Sequence, residues 1–250
     1  MNPTHPKHIL FIHGAWHGAW CWETYFVKLF AQRGYVTHTF DLPKHESPGP
    51  TRGINRLSLS DYVEALKSEV AKLDQAPIIV GHSMGGLILQ KYLETETCEK
   101  AILLASAPPH GVWRTTINIL RKSYGIPNLL KLNLFGIVDS TNKARWAFFS
   151  DSLPAEELKT YTSKLCGESF RAFLNMLRPN VRVNQHSNIP MLVIGAENDN
   201  IFSIKEHQAS AKTYDADLII IKDIAHDMML DVNREIVAEE IMNWIESGRI

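Results

Sequence analysis

The stretch Ile78-Ile79-Val80-Gly81-His82-Ser83-Met84-Gly85-Gly86 places a serine in a G-x-S-x-G setting, with an apolar run before it and a helical pattern after it. Such a turn is tight enough to strain the serine backbone, and the glycines at 81 and 85 keep side chains from colliding across it. Ser83 then projects from the carboxyl end of a strand, and the amide of Met84 opens the following helix. A hydroxyl is a poor nucleophile without a base, so this chemistry demands a histidine and a carboxylate to orient it. The carboxylate is expected after a late strand. Met191–Gly195 is followed by Ala196-Glu197-Asn198-Asp199-Asn200, which makes Asp199 the choice and Glu197 the alternative one register step away. The base is expected after the last strand, where Leu218–Ile221 leads into Lys222-Asp223-Ile224-Ala225-His226.

Eleven histidines make identity alone uninformative, and position decides among them. His5, His8, His45, His110, His186 and His207 read as surface or cap residues. His13 reads as a hydrogen-bonded support and His82 as part of the turn. His13 and His17 lack the glutamate of H-E-x-x-H and follow a strand, so no metal site is expected. The first strand ends Phe11-Ile12-His13-Gly14-Ala15-Trp16, at the same sheet edge as Ser83. The backbone amides of Ala15 and Met84 are therefore the expected oxyanion donors.

The elements that must hold these residues are legible as a period change. Strand candidates are His8–Ile12, Tyr35–Phe40, Pro77–Gly81 and Ala101–Ala105, separated by helical patterns over Ala19–Arg33, Ser60–Leu73 and Met84–Glu94. Gly34 would cap the first helix, and Ser60-Asp61 would open the second. Such alternation implies right-handed crossovers and a parallel sheet. From Pro108 to His186 the pattern is helical and rich in aromatics, and then strands resume, with helices near Ser203–Thr213 and Arg234–Ser247. One α/β core (1–107 and 187–250) with a helical cap (108–186) is the economical division, because the last strands are too few to stand alone.

Composition removes several function classes. The 250 residues are 45% apolar and 21% charged, as in an ordinary globular protein. Lys plus Arg is 26 and Asp plus Glu 27, so no basic excess points to nucleic acid or an anionic surface. The three cysteines form no CxxC pattern, and no run is long enough to span a bilayer. A reduced, cytoplasmic setting is the default expectation.

Taken together, His13-Gly14-Ala15-Trp16-His17-Gly18-Ala19-Trp20-Cys21-Trp22, Gly81–Gly86, Asp199 and His226 resemble the α/β-hydrolase superfamily over essentially the whole chain. The likeness is to the compact branch of plant methylesterases, hydroxynitrile lyases and bacterial esterases. It implies a mainly parallel six-stranded sheet with helices on both faces, a helical cap insertion over the site, and hydrolysis without a cofactor. Ala225–Leu230 also resembles bacterial members called lysophospholipase-like. Ser83 stands where dehalogenases and epoxide hydrolases of this fold carry aspartate. Ala15 stands where the plant lyases carry threonine, and Asp227 where they carry lysine, so a developing cyanide would meet an anion.

The resulting expectation is a serine hydrolase of a small or medium carboxylic ester. Ser83 is the nucleophile, His226 the base, Asp199 its orienter, and Ala15 and Met84 the oxyanion donors. Trp16 is a candidate to touch substrate, as are Trp113, Trp146 and Phe149, which include some of the cap's largest apolar side chains, so that at least one of them is expected to face the pocket. The rivals are other chemistry on the same triad (C–C bond hydrolase, thioesterase, lactonase, amidase) and a non-catalytic receptor of the same fold.

Overall fold

The computed structural model describes residues 7–122, 125–178, 181–182 and 189–247. Tyr124 and the histidines at 5 and 186 lie outside them, as does the end of the expected cap. Six strands form one sheet: β1 (His8–Ile12), β2 (Val36–Thr39), β3 (Ile78–His82), β4 (Lys100–Leu104), β5 (Met191–Ala196) and β6 (Asp217–Ile221). Their order is β2-β1-β3-β4-β5-β6, and every pair is parallel. A parallel sheet is covered by its own crossovers on both faces, so its inner strands must be apolar throughout. All residues of β3, β4 and β5 are buried, whereas β2 and β6 at the edges are mostly half-exposed.

The chain steps outward from β1 to β2, then returns to place β3 on the other side of β1. The loops leaving β1 and β3 therefore diverge at a switch point, which is where open α/β sheets form a crevice beyond the strand ends. Register sets the detail. Ile12 pairs with Gly81, so the turns carrying Ala15 and Ser83 leave the sheet side by side.

The crossover helices include α2 (Phe26–Gln32), α3 (Leu59–Val70) and α4 (Met84–Tyr92), with α10 (Ile204–Tyr214) and α11 (Arg234–Glu246) after the later strands. The helix expected over 19–33 is broken into α1 (Trp20–Glu23) and α2. Tyr25 leaves helical geometry at φ −141° and packs its ring under the Arg234 guanidinium, 3.8 Å away. The α3 cap is Ser58, not Ser60. Asp61 accepts from the Ser58 amide at 2.7 Å while its own amide donates to the Ser58 hydroxyl, a reciprocal box that fixes the first turn. Gly34 has the left-handed φ of +85° expected of a helix stop.

Between β4 and β5 the described residues form the helices α5 (Trp113–Leu120), α6 (Gly125–Leu130), α7 (Thr141–Phe148), α8 (Ala155–Lys164) and α9 (Phe170–Met176), with no named strand among them. Cys21, Cys98 and Cys166 are buried free thiols.

Candidate active site

Ser83 sits between β3 and α4 with φ +52° and ψ −118°, a conformation a side chain adopts only under constraint. The constraint is close packing of backbone on backbone. A Cβ on Gly81 would lie 2.6 Å from the Gly85 carbonyl oxygen, and one on Gly85 2.6 Å from the Ile12 carbonyl oxygen. The hydroxyl of Ser83 is 3.0 Å from His226 Nε2. His226 Nδ1 is in turn 2.7 Å from Asp199 Oδ2. With Nδ1–H donated to the carboxylate, Nε2 is left to accept from Ser83, which is the tautomer a base needs. Three loops, after β3, β5 and β6, thus converge at one end of the sheet.

Asp199 is held from several sides. Its Oδ1 accepts from the amides of Ile201 and Phe202 at 2.6 and 3.0 Å, and His207 Nε2 stands 3.8 Å from Oδ2. Burial pushes this carboxyl up, but the His226 charge and hydrogen bond, with His207 close by, hold it well below the usual carboxylate range. Burial likewise pushes His226 down, yet Asp199 outweighs it, and the imidazole titrates above its ordinary value. Glu197, one register step away, is exposed and accepts from the Asp223 amide in the neighbouring loop, at 3.3 Å.

The loop after β1 is tied down by His13. Its Nδ1–H donates to the Gly14 carbonyl at 2.8 Å and its Nε2 accepts from the Leu42 amide at 2.9 Å. The Gly14 carbonyl and the Ala15 N–H belong to one planar trans peptide and point in opposite directions. Fixing one therefore aims the other. Burial, and then the charge of His45, keep His13 far below its ordinary value, so it remains neutral. His82 is buried and bonded to the His226 carbonyl, and burial with the His226 charge lowers it to about 3. Its ring thus serves the turn.

Ser83 opens on a narrow cavity, walled by Ala15, Trp16 and Met84 from the sheet end and by Thr115, Ile119 and Phe173 from the helical segment. The walls are almost wholly apolar, and no lysine or arginine lines them among the described residues. Trp16 lies in the wall with its indole N–H donated to the Leu134 carbonyl. The structure does not bring Trp113, Trp146 or Phe149 to this cavity. Trp113 is 52% exposed with the Arg114 guanidinium over its ring, because Thr115 and Ile119, at i and i+4, take the inner face of α5. Trp146 lies under the Lys122 ammonium, and Phe149 packs against Phe148 and Tyr161.

Asp227 also departs from the expectation that it would meet a substrate anion. Its side chain is fully buried away from the cavity, 2.8 Å from His17 Nε2. Two residues read as surface or cap histidines are buried as well. His45 pairs with Glu168 at 3.0 Å and His207 backs Asp199. The signal for His207 was its helical spacing from Ala211, since both lie on the buried face of α10. Nothing local announces the pairing of His45 with Glu168, which lies 123 positions away.

Comparison with known proteins is consistent with this architecture. A segment of 81 residues is 40% identical to methylesterase 18 of Arabidopsis thaliana, covering 32% of this chain and 30% of that one. Another, of 107 residues, is 34% identical to the probable esterase PIR7A of rice, covering 41% and 40%. The alignments thus span well under half of these relatives' own lengths. Among solved structures, an extracellular alpha/beta-hydrolase from a Paenibacillus species superposes with a TM-score of 0.74 at 13% identity, over 95% of this chain and 98% of that one, a likeness of fold. The model of the alpha/beta hydrolase family matches residues 9–240. With that match over nearly its whole length, the chain belongs to the alpha/beta hydrolase family.

Proposed function

We propose that this protein is a serine hydrolase that cleaves a carboxylic ester with an apolar acyl or alkyl group. The observation that carries the reading is the continuous chain from the Ser83 hydroxyl through His226 to Asp199, with contacts of 3.0 and 2.7 Å. Ser83 attacks the ester carbonyl as His226 Nε2 takes its proton. Asp199 holds the imidazole in the accepting tautomer and stabilises its charged form. The oxyanion is received by the amides of Ala15 and Met84. Both residues line the cavity beside Ser83, and Met84 contributes one of the first amides of α4, which have no partner inside the helix. His226 returns its proton to the leaving alcohol, and the same base then activates water to release the acid from Ser83.

The helical segment 108–186 acts as a cap in this reading, since its side chains complete the cavity. The names of the relatives, an esterase and a methylesterase, favour an ester over a thioester, lactone, amide or C–C bond. An apolar cavity without a cation favours hydrolysis over cyanide release. The test is treatment with a fluorophosphonate probe beside a series of p-nitrophenyl esters of increasing acyl length. Labelling confined to Ser83, with turnover lost in Ser83→Ala, is the expected result. A protein that is neither labelled nor turns over any ester would be a receptor on this fold.

A further inference from the structure

Asp227 is fully buried, and among the described residues no donor meets its carboxylate with hydrogen-bond geometry. Burying a carboxylate is costly and adds little stability even when the charge is paired. What surrounds it is therefore informative. His17 Nε2 is 2.8 Å from Oδ2 and His82 Nε2 is 3.7 Å from Oδ1. An Asp227 oxygen, a His82 ring nitrogen and a His226 ring nitrogen all lie within 4.8 Å of one another. The Asp227 amide donates to the Phe148 carbonyl, which fixes the backbone.

The protons on these rings follow from their partners. His17 Nδ1 is 2.8 Å from the Ala15 carbonyl, which can only accept, so Nδ1 carries a proton. Its Nε2 is the atom turned to the Asp227 carboxylate, which makes the pair a buried contact between two titratable groups. His82 donates to the His226 carbonyl and is uncharged at neutral pH. Two anions then face His226. One is Asp199 after β5, backed by His207 of α10, and the other is Asp227, backed by His17 after β1. Asp231, in the same loop, is spent on Ser150 and on the amides of Ala225 and Val232.

We infer that Asp227 is a positioning residue for His226: its buried carboxylate, clamped by His17, supports the positive charge that the ring acquires on taking the Ser83 proton. The inference rests on the hydrolase reading for its purpose, but its electrostatic content stands apart from turnover. The same pair ties the loop carrying Ala15 to the loop carrying His226, so one contact couples oxyanion donor and base. Burial lowers His226, and Asp227 joins Asp199 in opposing that. Burial raises Asp227 itself, while His17 and the other two rings bring it below its ordinary value.

The experiment is a histidine NMR titration, with the His226 resonance assigned by its loss in His226→Gln. In Asp227→Asn the His226 midpoint should fall by about 1 pH unit, with a loss of about tenfold in kcat and little change in KM. Where the single variant folds poorly, His17→Gln/Asp227→Asn removes both partners of the contact and should still lower the midpoint, by no more than the single variant does. An unmoved midpoint in a folded variant would overturn the inference and leave the pair a structural tie. A wild-type protein that turns over no ester would sink the hydrolase reading instead, while the titration would still report whether Asp227 acts on His226.

Discussion

At the scale of single residues, the question is which carboxylate meets His226. Asp199 lies 2.7 Å from His226 Nδ1, while Glu197 is exposed and turned to the Asp223 amide. Asp199→Asn should therefore leave a folded protein whose kcat on a p-nitrophenyl ester falls by roughly 10⁴, since an amide no longer fixes the tautomer. Glu197→Gln should stay within a factor of about 2, as expected for an exposed side chain. A larger loss at Glu197 would reassign the site. The acid limb of kcat/KM is a second check. The protonated form of His226 is favoured beyond its ordinary value, so the neutral, accepting form appears only as pH rises through a midpoint above about 6.5. A midpoint at or below that value would mean that Asp199 is not opposing the burial of the ring.

At the scale of elements, the turn from β3 into α4 carries the greatest local constraint. Gly81 meets backbone, not side chain: its missing Cβ would lie 2.6 Å from the Gly85 carbonyl oxygen and 2.7 Å from Gly86 Cα. Neither neighbour can rotate away. Gly81→Ala should cost about 1–3 kcal/mol in thermal or denaturant unfolding and lower turnover by more than the stability loss explains, because Ser83 must shift. Gly34→Ala has open space around it and would register only the penalty of a positive φ, with turnover unchanged. Equal effects on turnover at the two sites would deny the turn its special role.

At the scale of the whole molecule, the cavity exists only where two parts of the chain meet. The sheet end contributes Ser83, Ala15 and Met84, and the helices between β4 and β5 contribute Thr115, Ile119 and Phe173. Phe173→Ala should therefore lengthen the preferred acyl chain in a p-nitrophenyl ester series. Trp113→Ala, on the outer face of α5, should leave that ranking unchanged. A uniform loss at Phe173 that tracks its melting temperature would return the residue to ordinary core packing.

The strands, their order along the chain and the loops holding Ser83, Asp199 and His226 were all legible in the sequence. Each rests on a local signal: an unbroken apolar run, a glycine-punctuated turn, or a position just past a strand. The choice of Asp199 over Glu197 was legible only as a preference, because both sit in one short loop and their side-chain directions depend on the β6 loop beside it. The break at Tyr25 depends on Arg234, far along the chain. The inward turn of Asp227 depends on His17, and the burial of His45 on Glu168. Size alone points Trp113 toward the cavity, whereas the face that α5 presents is set by what packs beneath it. The sequence alone determined which elements form and which loops carry chemistry, because period and turn type are short-range properties. Only the tertiary structure decided which charges face one another, because a buried carboxylate or imidazole is defined by partners that folding brings from distant parts of the chain.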